Sequence, residues 1–258
     1  MLRSFVFGSL FCALLAGNAR AQIGSVDVEV SGAFASKYIW NGFDRIRSQG
    51  LDVGPVLQPK VSIGLGHTPL HVAAGGSFVM NDANELHETT YHVYVQRFSS
   101  PFTRVGLGYT YYDDRISPIP GAYDNDVHEI WSSLDSRNMS GVHTGVALKY
   151  EISARDAYDS FFCANAEFGY SYAAMPATPG GLGLDLNGVT RVLYNTSIES
   201  QGVALVQSGF SAWQAGLSAD FRAAGVQVTP FLTYQVSLEE AVNDEDPLWG
   251  GISAAYAF

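Results

Sequence analysis

Cysteine is almost absent: Cys12 and Cys163 are the only two, and Cys12 lies in an N-terminal stretch that reads as a removable leader. The exported chain therefore has no internal disulfide, and its stability must come from packing and backbone hydrogen bonds. Basic residues are scarce too, with 14 Lys and Arg against 25 Asp and Glu, which sets nucleic acid aside as a partner. No Gly-x-Ser-x-Gly occurs, so there is no nucleophile elbow and no sign of an enzyme of that type. Beyond residue 21 no apolar run could cross a membrane as a helix, which takes roughly 20 residues. No linker, low-complexity tract or charge block divides the chain, so a single domain is expected.

The leader has the three parts of a secretory signal. Arg3 carries the positive charge, residues 5–16 are apolar, and Ala19-Arg20-Ala21 is a small-x-small cleavage pattern. Residues 1–21 are thus expected to be a signal peptide and residues 22–258 the mature domain, beginning at Gln22. Losing Arg3 and Arg20 takes the formal net charge from -11 to -13.

What the chain does have is glycine, tyrosine and phenylalanine in quantity, and alternation. Val26, Val28, Val30, Phe34, Tyr38 and Trp40 share one parity while Asp27, Glu29, Ser31 and Lys37 hold the other, which is the period of two expected of a strand. The same pattern predicts strands over residues 26–40, 51–65, 70–80, 86–98, 103–113, 141–151, 159–172, 182–195, 210–222, 226–238 and 247–258. Residues 125–135 alternate poorly, because Val127 and Trp131 share a parity with Glu129, but their length and position suit a twelfth strand. Residues 198–208 are apolar enough for another, yet a thirteenth would put the two chain ends on opposite sides, so they are assigned to a loop.

Each predicted strand is as long as the ~9 to 11 tilted residues that cross a membrane, whereas globular strands average about five or six. A soluble β-sandwich also alternates, but seldom needs so many strands of this length. The expected fold is all-β: a transmembrane antiparallel barrel of about twelve strands in the outer membrane of a Gram-negative bacterium. Turn lengths agree with it. Short connections at 66–69, 99–102, 136–140 and 223–225, with a longer one at 173–181, fall at one end, and long loops at the other. Tyr38, Trp40, Tyr111 and Trp213 fall where an outer aromatic girdle should be, and Tyr170, Tyr172, Phe221 and Phe258 where an inner one should be. Pro55 and Pro59 cannot donate ladder bonds, which predicts a bulge or broken pairing near the first hairpin.

Ser36-Lys37-Tyr38-Ile39-Trp40-Asn41-Gly42-Phe43 resembles the first strand and loop of the TorF-type porin family, whose pattern there is Ser-x-Tyr-x-x-Arg-Gly; Asn41 stands in place of the Arg. The last strand, ending Ala255-Tyr256-Ala257-Phe258, looks like the aromatic-terminated segment by which the barrel-assembly machinery takes up its clients. The resemblance implies a small channel with no established substrate, in contact with outer-membrane lipid.

The residues on the polar parity are the candidate pore lining: Lys37, Lys60, His71, His92, Arg104, Glu129, His143, Lys149, Glu167, Asp185, Arg191, Asp220 and Arg222, to which Asp27 and Glu29 add two acids. Six acids against six bases predict little net field along the bore. His71, His92 and His143 share that parity and could make a metal or proton site, but polar lining is the simpler reading. Neither His87-Glu88 nor His128-Glu129 can act as a unit, since neighbours on a strand point to opposite faces. Carboxylates crowd two loops, at Asp113, Asp114, Asp124 and Asp126 and at Glu239, Glu240, Asp244, Glu245 and Asp246, without the spacing or turn glycine of a calcium loop. No cofactor is implied. The expected function is passage of small polar solutes, with a barrel enzyme or a non-conducting structural or adhesion barrel as alternatives. A negative mouth predicts a weak cation preference that fades as salt rises.

Overall fold

The computed structural model describes residues 26–40, 43–44, 54–66, 68–80, 87–115, 126–153, 159–176, 181–200, 203–239 and 246–257; the expected leader with its cleavage point, Asn41, most of the two acidic loops and Phe258 lie outside them. In chain order the strands are β1 (Val26–Ala35), β2 (Ile39–Trp40), β3 (Phe43–Asp44), β4 (Val56–Leu65), β5 (Leu70–Val79), β6 (His87–Ser100), β7 (Thr103–Arg115), β8 (Val127–Arg137), β9 (Val142–Ser153), β10 (Phe161–Met175), β11 (Gly183–Asn195), β12 (Ile198–Ser200), β13 (Val203–Val206), β14 (Gly209–Ala223), β15 (Val226–Ser237) and β16 (Leu248–Ala257). Twelve of them, β1, β4 to β11 and β14 to β16, close into one antiparallel barrel. The seam is the pairing of β1 with β16, from Glu29 opposite Ala257 to Ala35 opposite Gly251.

An even count brings Val26 and Ala257 to the same end, here the terminal end; the other is the loop end. Connections at the terminal end are tight. Ala224 and Gly225 both take positive φ, 50° and 83°, the two-residue turn whose twist matches that of the strands it joins. At the loop end the chain makes longer excursions, two of which hold small hairpins of their own: β2 with β3, and β12 with β13.

Polarity separates this barrel from a sandwich. Val93, Leu107, Leu148, Phe168, Leu186, Leu217, Leu232 and Ile252 stand exposed on the outside, while Glu129, Glu151, Gln214 and Gln235 are buried inside. A soluble monomer rarely exposes an apolar belt of that extent, whereas lipid requires it. Closure also leaves no open sheet edge in the wall, the condition for crossing hydrocarbon.

Two expectations change and a third is met. The first strand leaves the sheet after Ala35, so Tyr38 loses the outward parity of Phe34 and turns inward, 5 % exposed, donating a hydrogen bond to Glu88 at 2.5 Å. It is no part of the outer girdle, and Lys37 beside it is off the strand parity altogether. Within residues 198–208, Ile198–Ser200 and Val203–Val206 do form strands, but they pair with each other as β12 and β13 outside the barrel and so leave its count even. Of the two outcomes expected around Pro59, broken pairing is the one present: β4 and β5 keep one register but skip Gln58 and Pro59, as β14 and β15 skip Pro230.

Candidate functional site

Strands in a barrel are tilted and staggered, so inward residues that face each other across successive strands form rows that climb from one end towards the other. One row runs from Phe98 on β6 through Arg104, Asp135, Gly145, Glu167, Arg191 and Gln214 to Gln235 on β15. Its polar side chains bond in two groups, one on either side of Gly145. Arg104 reaches Asp135 at 3.5 Å; Arg191 donates to Glu167 Oε2 from Nε at 3.1 Å and from Nη2 at 2.5 Å, and to Gln214 from Nη1 at 3.4 Å; Gln214 Nε2 donates to Gln235 Oε1 at 2.8 Å. The row begins beside a cavity of about 700 Å³ at the terminal end, walled by Arg104, Asp135, Arg137, His143, Glu167 and Arg191 among others.

At the loop end the interior is packed. Every barrel strand except β16 contributes a nearly inaccessible inward side chain there, including Val56, Glu88, Val127, Glu151, Phe161, Asn195 and Gln235. Much of this belt is polar: Asn195 donates to Ser211 at 2.9 Å, Lys149 to Glu129 at 3.0 Å, and Tyr112 to Glu129 at 3.4 Å. A charge removed from water is tolerated only with partners of this kind, and Glu129, 3 % exposed, has two.

Twelve of the thirteen candidate lining residues lie on inward strand positions, Lys37 being the exception. Lys60 faces in opposite Gly75. Asp185 pairs with Arg222, and Asp220 accepts from Asn187 at 3.1 Å and Thr229 at 2.8 Å. The three histidines do not meet: His71 stacks on Tyr94, His92 lies 3.0 Å from Thr110, and His143 lies 3.9 Å from Glu167. None has a serine and an acid together within bonding distance among the described residues, and no group of three or more metal-ligating side chains occurs among them. His128 faces outward against Tyr109 and Tyr111, away from Glu129.

The balance of charge is overturned. Described inward strand positions also include Glu88, Asp135 and Glu151 on the acid side and Arg137 on the basic side, making nine acids against six bases. Glu88 and Glu151 stand at strand edges, but parity places both: Glu88 alternates with His92, and Glu151 with His143 and Lys149.

No protein-family model matches the chain, and no curated protein matches it. Solved structures do. The KdgM porin superposes with a TM-score of 0.53 at 5% identity, covering 90% of this chain and 99% of its own. An outer membrane channel from Pseudomonas putida F1 gives 0.55 at 10% identity, covering 94% and 98%. The NanC porin gives 0.52 at 9% identity, covering 89% and 98%.

The fold is that of a bacterial outer-membrane barrel. At such identities the likeness speaks for architecture alone; together with the apolar exterior it puts the chain in the bacterial outer membrane. The TorF-type resemblance rests on the motif at Ser36 and on the last strand.

Proposed function

We propose that the barrel is a narrow channel for small polar solutes, entered from a vestibule at the terminal end and constricted by the polar belt at the loop end. The observation that carries this reading is the polar row from Arg104 to Gln235, hydrogen-bonded on either side of Gly145, which runs from one to the other. A wall of opposed charges and amides replaces part of a solute's hydration while binding it weakly enough to release it. With both termini in the periplasm, the vestibule is the periplasmic mouth. Lipid surrounds the apolar exterior, and the segment ending at Phe258 is the handle for barrel assembly.

The KdgM porin has been solved in complex with oligogalacturonate, a polyanion. An interior with more acids than bases does not suit such a solute here, and neutral or cationic ones fit better. The belt favours a second reading, a barrel that does not conduct: Val56, Val127, Glu151, Ala212 and Gln235 are 0% exposed. Single-channel recording in planar bilayers separates the two. Small conductance steps are expected for the unmodified protein and larger ones for Gln214→Ala with Gln235→Ala, which thins the belt. No current from either would establish the non-conducting reading.

A further inference from the structure

A second climbing row differs in kind from the ionic one. Across β4 to β8 its inward positions are Gly64, His71, Tyr94, Gly108 and Trp131. The His71 and Tyr94 rings are stacked with centroids 4.9 Å apart, and Tyr94 and Trp131 are tilted at 5.8 Å, so the three rings make one aromatic cluster whose offset leaves part of each ring as an apolar surface. All three are half-buried, which leaves part of each accessible from the bore. The glycines make this possible. A Cβ at Gly108 would stand 2.5 Å from Trp131 Cζ2 and 2.7 Å from Tyr94 Cβ; without a side chain there, the indole leans across β7 towards β6.

The row continues to Asp27 opposite Gly64 and to Lys149 opposite Trp131, and the positions beside it are rich in neutral hydrogen-bonding groups. Ser62 Oγ lies 3.2 Å from Tyr94 Oη, His92 lies 3.0 Å from Thr110, and Trp131 Nε1 donates to Thr110 at 3.2 Å. Gln96 and Ser133 occupy the inward positions of the next row towards the terminal end. Aromatic faces bordered by neutral donors and acceptors match a particular class of molecule. A pyranose ring offers an apolar face of C–H groups and a rim of hydroxyls, and the two halves of this surface answer those two halves. An organic cation would also be drawn to aromatic rings, but Lys149 stands opposite Trp131, and Glu129, two residues along the strand, is engaged by Lys149 and Tyr112.

We propose that the His71, Tyr94 and Trp131 row is a binding track for neutral saccharides within the bore. The proposal deepens the channel reading and rests on it for the track's purpose, but binding is measurable without current. The full-length barrel, folded in detergent micelles, would be titrated calorimetrically with maltotriose, cellotriose and tetramethylammonium. Millimolar binding of at least one trisaccharide is expected, weakened about three- to tenfold by Trp131→Ala or Tyr94→Ala, the scale of a lost aromatic contact. Tyr94→Phe should weaken it less. If the alanine variants fail to fold, as judged by gel mobility with and without heating, Trp131→Leu and Tyr94→Leu keep more of the apolar packing than alanine does and remove the aromatic face. Absence of trisaccharide binding, binding unchanged in the leucine variants, or binding of tetramethylammonium in its place would overturn the proposal. Saccharide binding to a barrel that passes no current would retain the track and remove the channel; current without saccharide binding would do the reverse.

Discussion

Gly108 is the position where adding one methyl group tests the interior packing most directly. In Gly108→Ala the new Cβ would lie 2.5 and 2.6 Å from two indole carbons of Trp131 and 2.7 Å from Tyr94 Cβ, about 1 Å inside the usual 3.5–4.0 Å carbon contact. Trp131 has little freedom to retreat. Its Nε1 is bonded to Thr110, and swinging the indole away from β7 would stretch that bond. Tyr94 Cβ is fixed to the backbone of β6, so relief on that side requires β6 and β7 to move. Overpacking of this kind costs about 1–3 kcal/mol, against which the smaller backbone entropy of alanine returns about 0.4–1 kcal/mol. A net loss of about 1–2 kcal/mol is expected. Gly188→Ala is the control, because on the lipid-facing side of β11 its Cβ would meet only Leu217 at 3.7 Å; it should be neutral or slightly stabilising. Urea unfolding in lipid vesicles, followed by tryptophan fluorescence, measures both. Equal midpoints for Gly108→Ala and the unmodified barrel, or an equal loss in Gly188→Ala, would refute the packing argument.

Other perturbations address the charges and the ends of the chain. Lys149→Met strands Glu129 in the belt and should cost about 3–5 kcal/mol, most of it recovered in Glu129→Gln with Lys149→Met; a vesicle unfolding series reads both. Arg191→Gln releases Glu167 from its two donated bonds and should raise the cation preference, measured as a shift of reversal potential under a salt gradient. Deleting Phe258 should lower the yield of barrel in outer-membrane fractions without altering the conductance of what inserts. N-terminal sequencing of the mature protein should begin at Gln22, and an intact Met1 would remove the signal peptide from the account.

Strand positions were legible because alternation is imposed by the environment: lipid on one side of the wall, water and polar partners on the other. Legibility failed where a residue's polarity did not name its face. Residues 125–135 alternate poorly because Trp131, though aromatic, points inward with Glu129 into space left open by Gly106 and Gly108. Residues 26–40 alternate too well, since no glycine or proline marks the bend at Ser36 where Tyr38 turns in to Glu88. Side-chain partners were less legible still. Parity says that Glu167 and Arg191 face the bore, but only the register of β10 against β11 puts them opposite each other.

The excess of interior acids moves the origin of any selectivity from the mouth to the belt. A balanced bore with acidic loops would owe a cation preference to exposed carboxylates at the mouth, which are screened over about 8 Å at physiological salt. The interior instead carries Glu88, Glu129 and Glu151 in the belt, with Lys149 bonded to Glu129. Buried charges are screened far less than exposed ones. A cation preference that originates there should therefore persist in concentrated salt, and should survive joint neutralisation of Glu239, Glu240, Asp244, Glu245 and Asp246. Glu88→Gln, Glu129→Gln and Glu151→Gln combined should abolish it. Reversal potentials recorded across a range of salt concentrations distinguish the two origins. A preference that fades with salt and vanishes with the loop carboxylates would return the selectivity to the mouth and leave the belt a structural seal.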